Sequence, residues 1–90
     1  MAERLTRDEL LVLLIEEAGE VIQAATKALR FGFDARHKSR GCCAENLSAE
    51  VGDLLGIVDQ LPLDQDIVRA KRWNKADKAA AMRQRYGVRQ

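Results

Sequence analysis

The stretch TRDELLVLLIEEAGEVIQAATKALRFG, from Thr6 to Gly32, decides the fold of this chain. It opens on Thr-x-x-Glu, so Thr6 and Glu9 can satisfy each other's free backbone N–H groups as a capping box, with Leu5 and Leu10 as its hydrophobic staple. At about 100° per residue, Leu11, Leu14, Ala18, Val21, Ile22, Ala25 and Leu29 fall on one side of the resulting helix. Glu16, Glu17 and Glu20 gather on roughly the opposite side. Gly32 supplies a stop of the left-handed type, so the pattern predicts a helix over about 6–31. Like charges at helical spacing weaken a helix by a few tenths of a kcal/mol per pair. A cluster of three carboxylates therefore needs either free solvent or a cation.

Working outward, the segment GFDARHKSRGC lacks apolar periodicity and carries two glycines, which reads as a loop over 32–43. A second helix is expected over about 44–61, with Leu47, Val51, Leu54, Leu55, Val58 and Leu61 on one stripe and Pro62 ending it. Glu50 and Asp53 lie on one face of it, at the flank of the stripe. Gly52 and Gly56 would let another helix approach closely. A third helical segment is expected over about 64–86, capped by Asp64 and stopped by Gly87, with a break possible where Asn74 could start a new helix. No strand pattern is evident.

The expectation is a single all-α domain over 1–90 with three to four helices. Val12 and Leu13 lie on the acidic side of the first helix, making its N-terminal half apolar nearly all round. Such a helix is usually enclosed, and 90 residues provide too few helices to enclose it. The bundle is therefore expected to be completed by oligomerisation.

Composition narrows the class. The longest apolar run, Leu10 to Ile15, is six residues, against the roughly 20 needed to cross a bilayer. The N-terminus does not read as a secretory signal, and a cytoplasmic location is expected. Cys42 and Cys43 are adjacent, which suits reduced thiols better than a mutual disulfide. With His37 they match no recognised zinc spacing. The net charge of +1 hides an asymmetry: residues 1–68 carry 7 basic and 13 acidic side chains, residues 69–90 carry 8 and 1. The basic tail can bind nucleic acid or a membrane surface, or neutralise the acidic body of its own or a neighbouring subunit. With only Trp73 and Tyr86 available for base stacking, the second reading is favoured over nucleic acid.

Glu16, Glu17, Glu20, Glu50 and Asp53 form E-E-x-x-E, then 29 intervening residues, then E-x-x-D. Two antiparallel helices can bring these faces together. Four or five oxygens without histidine or thiolate suit a hard cation, Mg²⁺ first and Mn²⁺ as substitute, at about 2.1 Å in octahedral geometry. Lys27, flanked by Arg30 and Gln23, puts a cationic patch beyond the carboxylates, an arrangement that fits a polyphosphate. Each acidic cluster alone is also what a solvated helix surface carries; their joint occurrence on two amphipathic helices is what favours a site. Phe31 and Phe33 can equally line a base pocket or anchor the loop, and Trp73 reads as a core or interface residue.

These motifs, with EVIQAATKALRFGF and AEVGDLLGIVDQL, resemble the MazG-like all-α nucleotide pyrophosphohydrolases, in particular their small single-domain members, over about residues 10–61. The resemblance implies a hydrolase: Mg²⁺-dependent cleavage of a nucleoside triphosphate between the α and β phosphates, yielding monophosphate and pyrophosphate, in a homodimer or homotetramer. By position it assigns Glu17, Glu20, Glu50 and Asp53 as metal ligands and gives Glu16, with Glu17, a catalytic role in orienting or deprotonating the attacking water. Lys27 and Arg30 take the phosphate side, and Asn74, Lys75 and Lys78 are substrate contacts from the third segment or a neighbouring subunit. Gly19 departs from a more helix-favouring residue and would admit a partner helix. The competing expectation is a non-catalytic helical interaction module whose basic tail binds nucleic acid or a protein.

Overall fold

The computed structural model describes residues 4–37 and 41–86. It is all-α apart from one two-residue ladder: α1 spans Arg7–Phe31, α2 Cys43–Val58 and α3 Gln65–Tyr86, while β1 (Arg36–His37) and β2 (Gly41–Cys42) pair antiparallel between α1 and α2. The ladder corrects the reading of 32–43 as loop alone. Among the described residues no helix is long and apolar enough to cross a membrane.

Local chemistry explains the boundaries. At the start of α1 the Glu9 backbone N–H donates to Thr6 Oγ1 at 3.1 Å and the Thr6 N–H donates to Glu9 Oε1 at 2.8 Å. The Thr6 N–H first, and the Thr6 hydroxyl beside it, hold the Glu9 carboxyl below its usual range, because hydrogen bonds to a carboxylate favour its charged form. At the other end, the Gly32 N–H reaches the Ala28 carbonyl at 2.9 Å, and its φ of 104° with ψ of 140° lies in territory that glycine alone adopts readily. Gly32 thus stops the helix as expected, though outside the left-handed helical region.

The start of α2 uses a second capping box that the sequence reading missed. Cys42 Sγ accepts from the Glu45 N–H at 3.4 Å, and Glu45 Oε1 accepts from the Cys42 N–H at 3.3 Å. The loop supplies more: Ala35 and Phe33 carbonyls accept from the Cys43 and Ala44 N–H groups at 2.9 and 2.8 Å. Donors that a helix start leaves open are thereby satisfied. The helix ends three residues earlier than expected, closing through Asp59, Gln60 and Leu61 N–H groups bonded back to Leu55, Ile57 and Val58. Asp64 caps α3 as read, with Oδ1 accepting from the Asp66 and Ile67 N–H groups, both at 3.1 Å. No break interrupts α3 at Asn74; Gly87, its expected stop, lies outside the described residues.

Among the described elements, packing is concentrated in the α1–α2 pair. Leu10, Ala24, Ala28 and Leu61 are the buried apolar residues among those described. The α1 face turned to α2 therefore follows Leu10, Leu14, Glu17, Val21, Ala24 and Ala28, rotated from the expected stripe. Leu11, Ile22 and Leu29, which belong to the stripe read from the sequence, are exposed. From Pro62 to Met82 every side chain is exposed, Trp73 included.

Candidate functional site

The two helices run antiparallel, as their shared clefts require: Phe31 lies with Cys43, Lys27 with Asn46, and Glu20 with Glu50. One helical turn further on, the motif residues meet. Glu17, Glu50 and Asp53 each offer a carboxylate oxygen, and the three lie within 4.8 Å of one another. Glu17 and Glu50 are half-buried and Asp53 is exposed. The Glu17 carboxyl is pushed above its usual range, first by loss of solvent and then by the charges of Asp53, Glu50, Glu20 and Glu16. Both causes penalise the ionised form.

Such a trio fits a hard divalent cation. An octahedral ion with oxygens at about 2.1 Å sets its ligands roughly 3 to 4 Å apart, a separation that small rotations of three carboxylates on two helices can reach. The donor set holds oxygen alone, which suits Mg²⁺ or Mn²⁺ and not zinc.

Beside the trio is a cleft of about 430 Å³ lined by Glu20, Gln23, Ala24, Lys27, Asn46 and Glu50. Glu20 therefore stands at the rim, next to Glu50 and outside the close trio. A second cleft of about 560 Å³ continues from it, sharing Lys27 and Asn46 and adding Phe31, Arg36, Cys42 and Cys43. Acidic, cationic and aromatic groups thus follow one another along one side of the pair. The polarity of this row is set by helical spacing: Glu20, Lys27 and Phe31 share a face of α1, as Asn46, Glu50 and Asp53 do of α2.

The remaining expected residues fall elsewhere. Glu16 is exposed and acts on the trio through its charge on Glu17. Arg30 does not line either cleft; its guanidinium sits over the Phe31 ring, 5.1 Å from the centroid. Asn74, Lys75 and Lys78 are exposed on α3, whose described side chains are all exposed, and among the described residues they join neither the carboxylate trio nor the clefts beside it.

Two cleft residues escaped the sequence reading. Asn46 stands one turn before Glu50, so the spacing that linked Glu50 with Asp53 also pointed to it. Arg36 carries no such signal. It is placed by the short ladder, 3.6 Å from Glu45, and nothing in the sequence periodicity marks that pairing.

Comparison with known proteins adds no identity: no family model, curated protein or solved structure matches this chain.

Proposed function

We propose that the protein is a Mg²⁺-dependent nucleoside triphosphate diphosphohydrolase, acting on NTPs or dNTPs at the α–β phosphate bond. The observation that carries this reading is the convergence of Glu17, Glu50 and Asp53 within 4.8 Å, beside a lysine-bearing cleft. Three carboxylates meeting at a half-buried point repel one another, and Glu17 already resists ionisation there. A divalent cation turns that repulsion into ligation.

In this reading Glu17, Glu50 and Asp53 hold the ion, with Glu20 at the rim available as a further ligand. A Mg²⁺ ion held there would supply Lewis-acid polarisation of phosphate oxygens and a lowered pKa for water. Lys27, common to both clefts, neutralises phosphate charge, and Asn46 can donate a hydrogen bond beside it. Glu16 or Glu17 orients water or accepts its proton as the water oxygen attacks one phosphorus and the α–β bridging bond breaks. The cleft walled by Phe31 and Arg36 suits the planar base. In keeping with its family resemblance, the enzyme works as a homodimer or homotetramer in the cytoplasm.

The test is a panel of NTPs and dNTPs with Mg²⁺, scored for monophosphate and pyrophosphate. Turnover should fall at least 100-fold in Glu50→Gln and in Asp53→Asn with helical content unchanged. Lys27→Ala should act mainly on KM. Full activity in both carboxylate variants would remove the metal site from the reading. A second reading, an interaction module using the exposed basic α3, predicts instead salt-sensitive binding to DNA or RNA and a melting temperature indifferent to Mg²⁺.

A further inference from the structure

We infer that the cleft beyond Lys27 selects 6-oxopurine nucleotides, those carrying guanine or hypoxanthine, through the guanidinium of Arg36. The inference rests on the nucleotide site of the reading above and names the base that the same groove takes. The groove has two ends of different chemistry. Lys27 and Asn46 line both clefts and so mark the passage between them. Glu20 and Glu50 line only the first cleft, beside the carboxylate trio; Phe31, Arg36, Cys42 and Cys43 line only the second. From Glu50 back to Cys43 is seven residues of α2, about 10 Å along the helix, so one nucleotide laid along the groove serves both ends. The second cleft, at about 560 Å³, is of the size that small-molecule pockets take.

The far end is shaped for a ring. Phe31 lines the cleft yet is 61% exposed, and the Arg30 guanidinium lies over its ring at 5.1 Å from the centroid. Since Arg30 lines neither cleft, the cation takes the face of the ring turned away and leaves the cleft side for a base to stack on. Ala35 and the two thiols, small and apolar, complete the wall. Stacking does not discriminate, because every base has a π-face. Selection therefore falls to the groups that meet the edge of the base.

That edge meets donors. Arg36 stands directly opposite Cys42 in the β1–β2 register, and opposed residues of an antiparallel pair project to the same side, here the side of the cleft. Glu45 Oε1 lies 3.6 Å from Arg36 Nη2 and also accepts from the Cys42 N–H at 3.3 Å. Glu45 thus steadies one end of the guanidinium while its own carboxylate stays with the cap. Among the described residues no carboxylate lines this cleft, so the base meets N–H donors without a strong acceptor beside them. Asn46, whose amide both donates and accepts, stands at the passage and so faces sugar and phosphate. A guanidinium fork matches two adjacent acceptors, which guanine offers at O6 and N7. Hypoxanthine offers the same pair. Adenine replaces O6 by an amino group and would set donor against donor, leaving both without a partner.

Titration calorimetry of the full chain with Mg²⁺ and the α,β-methylene analogues of GTP and ATP reads this selection without turnover, because neither analogue can be cleaved at the α–β bond. The GTP analogue should bind about tenfold tighter or better. Arg36→Ala should bring the two affinities within about threefold, with helicity retained because the side chain is 75% exposed. Arg36→Lys, which keeps the charge and loses the fork, should level them in the same way. Among substrates, ITP should match GTP in kcat/KM, and 7-deaza-GTP, which lacks the N7 acceptor, should fall toward ATP. Equal affinity for the two analogues, no binding of either, discrimination that survives Arg36→Ala, or CTP turned over as readily as GTP would overturn the inference. Tighter binding of the GTP analogue by a protein that hydrolyses no nucleotide would leave the inference intact while refuting the enzyme, and hydrolysis without base preference would do the reverse.

Discussion

The α1–α2 hairpin and α3 are built from the same local devices yet end in opposite states. Each helix begins at a side-chain cap, and α3, with 22 residues, is longer than α2, with 16. The hairpin nevertheless buries Leu10, Ala24, Ala28 and Leu61, while the described side chains of α3 are all exposed. Caps and propensity are enough to write a helix into a sequence. They are not enough to hold it, because nucleation is costly and most helical stability in proteins comes from packing an apolar face. Substitutions of the same chemistry in the two regions should therefore have unequal consequences.

The largest contrast is expected at two leucines separated by one residue. Leu61, 5% exposed, closes the end of the hairpin, whereas Leu63 is 42% exposed. Leu61→Ala should destabilise by about 2–4 kcal/mol through lost burial and the cavity left behind. Leu63→Ala should cost under about 1 kcal/mol. Urea denaturation of the two variants measures both, and equal costs would mean that the connection packs against something in solution.

A smaller contrast separates two alanines. Ala24 is 2% exposed at the contact between α1 and α2, where a larger side chain would force the helices apart. Ala24→Leu should cost about 1–3 kcal/mol by overpacking. Ala76→Leu on the open surface of α3 should stay within about 0.5 kcal/mol. A cost for Ala76→Leu comparable to that of Ala24→Leu would show that α3 is packed in the assembled protein.

The same division explains what was legible in the sequence. Helix content, the caps at Thr6 and Asp64 and the meeting of Glu17 with Glu50 and Asp53 all follow from short-range spacing plus one antiparallel turn. The rotation of α1 does not. Its apolar residues extend too far round the helix for periodicity to say which row meets α2 and which stays outside, and Leu11, Ile22 and Leu29 of the apolar stripe stay outside. The ladder at 36–37 and 41–42 was illegible for another reason: two residues per strand are too few to show alternation. It nevertheless places Arg36 in the cleft. The basic character of α3 was plain, but not where its charges would sit, because charge carries no register.

Acidification distinguishes the carboxylates of the site from those of the caps. Glu17 binds its proton more readily folded than unfolded. Its protonation stabilises the fold below the ordinary carboxylate range, and that contribution is lost as pH rises through the folded pKa. Glu9 and Glu45 behave in the opposite sense, because their depressed values give stability that is present above the ordinary range and lost as pH falls through the folded pKa. In EDTA, Glu17→Gln should melt above the wild type at pH near 7, and the gap should narrow toward pH about 4. Added Mg²⁺ should raise the wild-type melting temperature and reverse the order. Coincident melting curves at every pH would mean that Glu17 neither loses solvent nor feels its neighbouring charges in the folded chain.

The finest contrast lies between the two capping boxes, which share one hydrogen-bond pattern and differ in the accepting atom. At Thr6 the oxygen accepts at 3.1 Å and Glu9 returns a bond of 2.8 Å; at Cys42 the sulfur accepts at 3.4 Å and Glu45 returns one of 3.3 Å. A thiol is a weak acceptor, so Cys42 leaves part of the available capping energy unused. Thr6→Ala should cost about 1 kcal/mol and Cys42→Ala less. Cys42→Ser should stabilise by a few tenths of a kcal/mol, because a hydroxyl is a preferred cap and fits without displacing Glu45 from Arg36. Thermal melts of the three variants rank these effects. A loss of stability in Cys42→Ser would mean that the sulfur contributes more by packing against the Phe31 cleft than by capping α2.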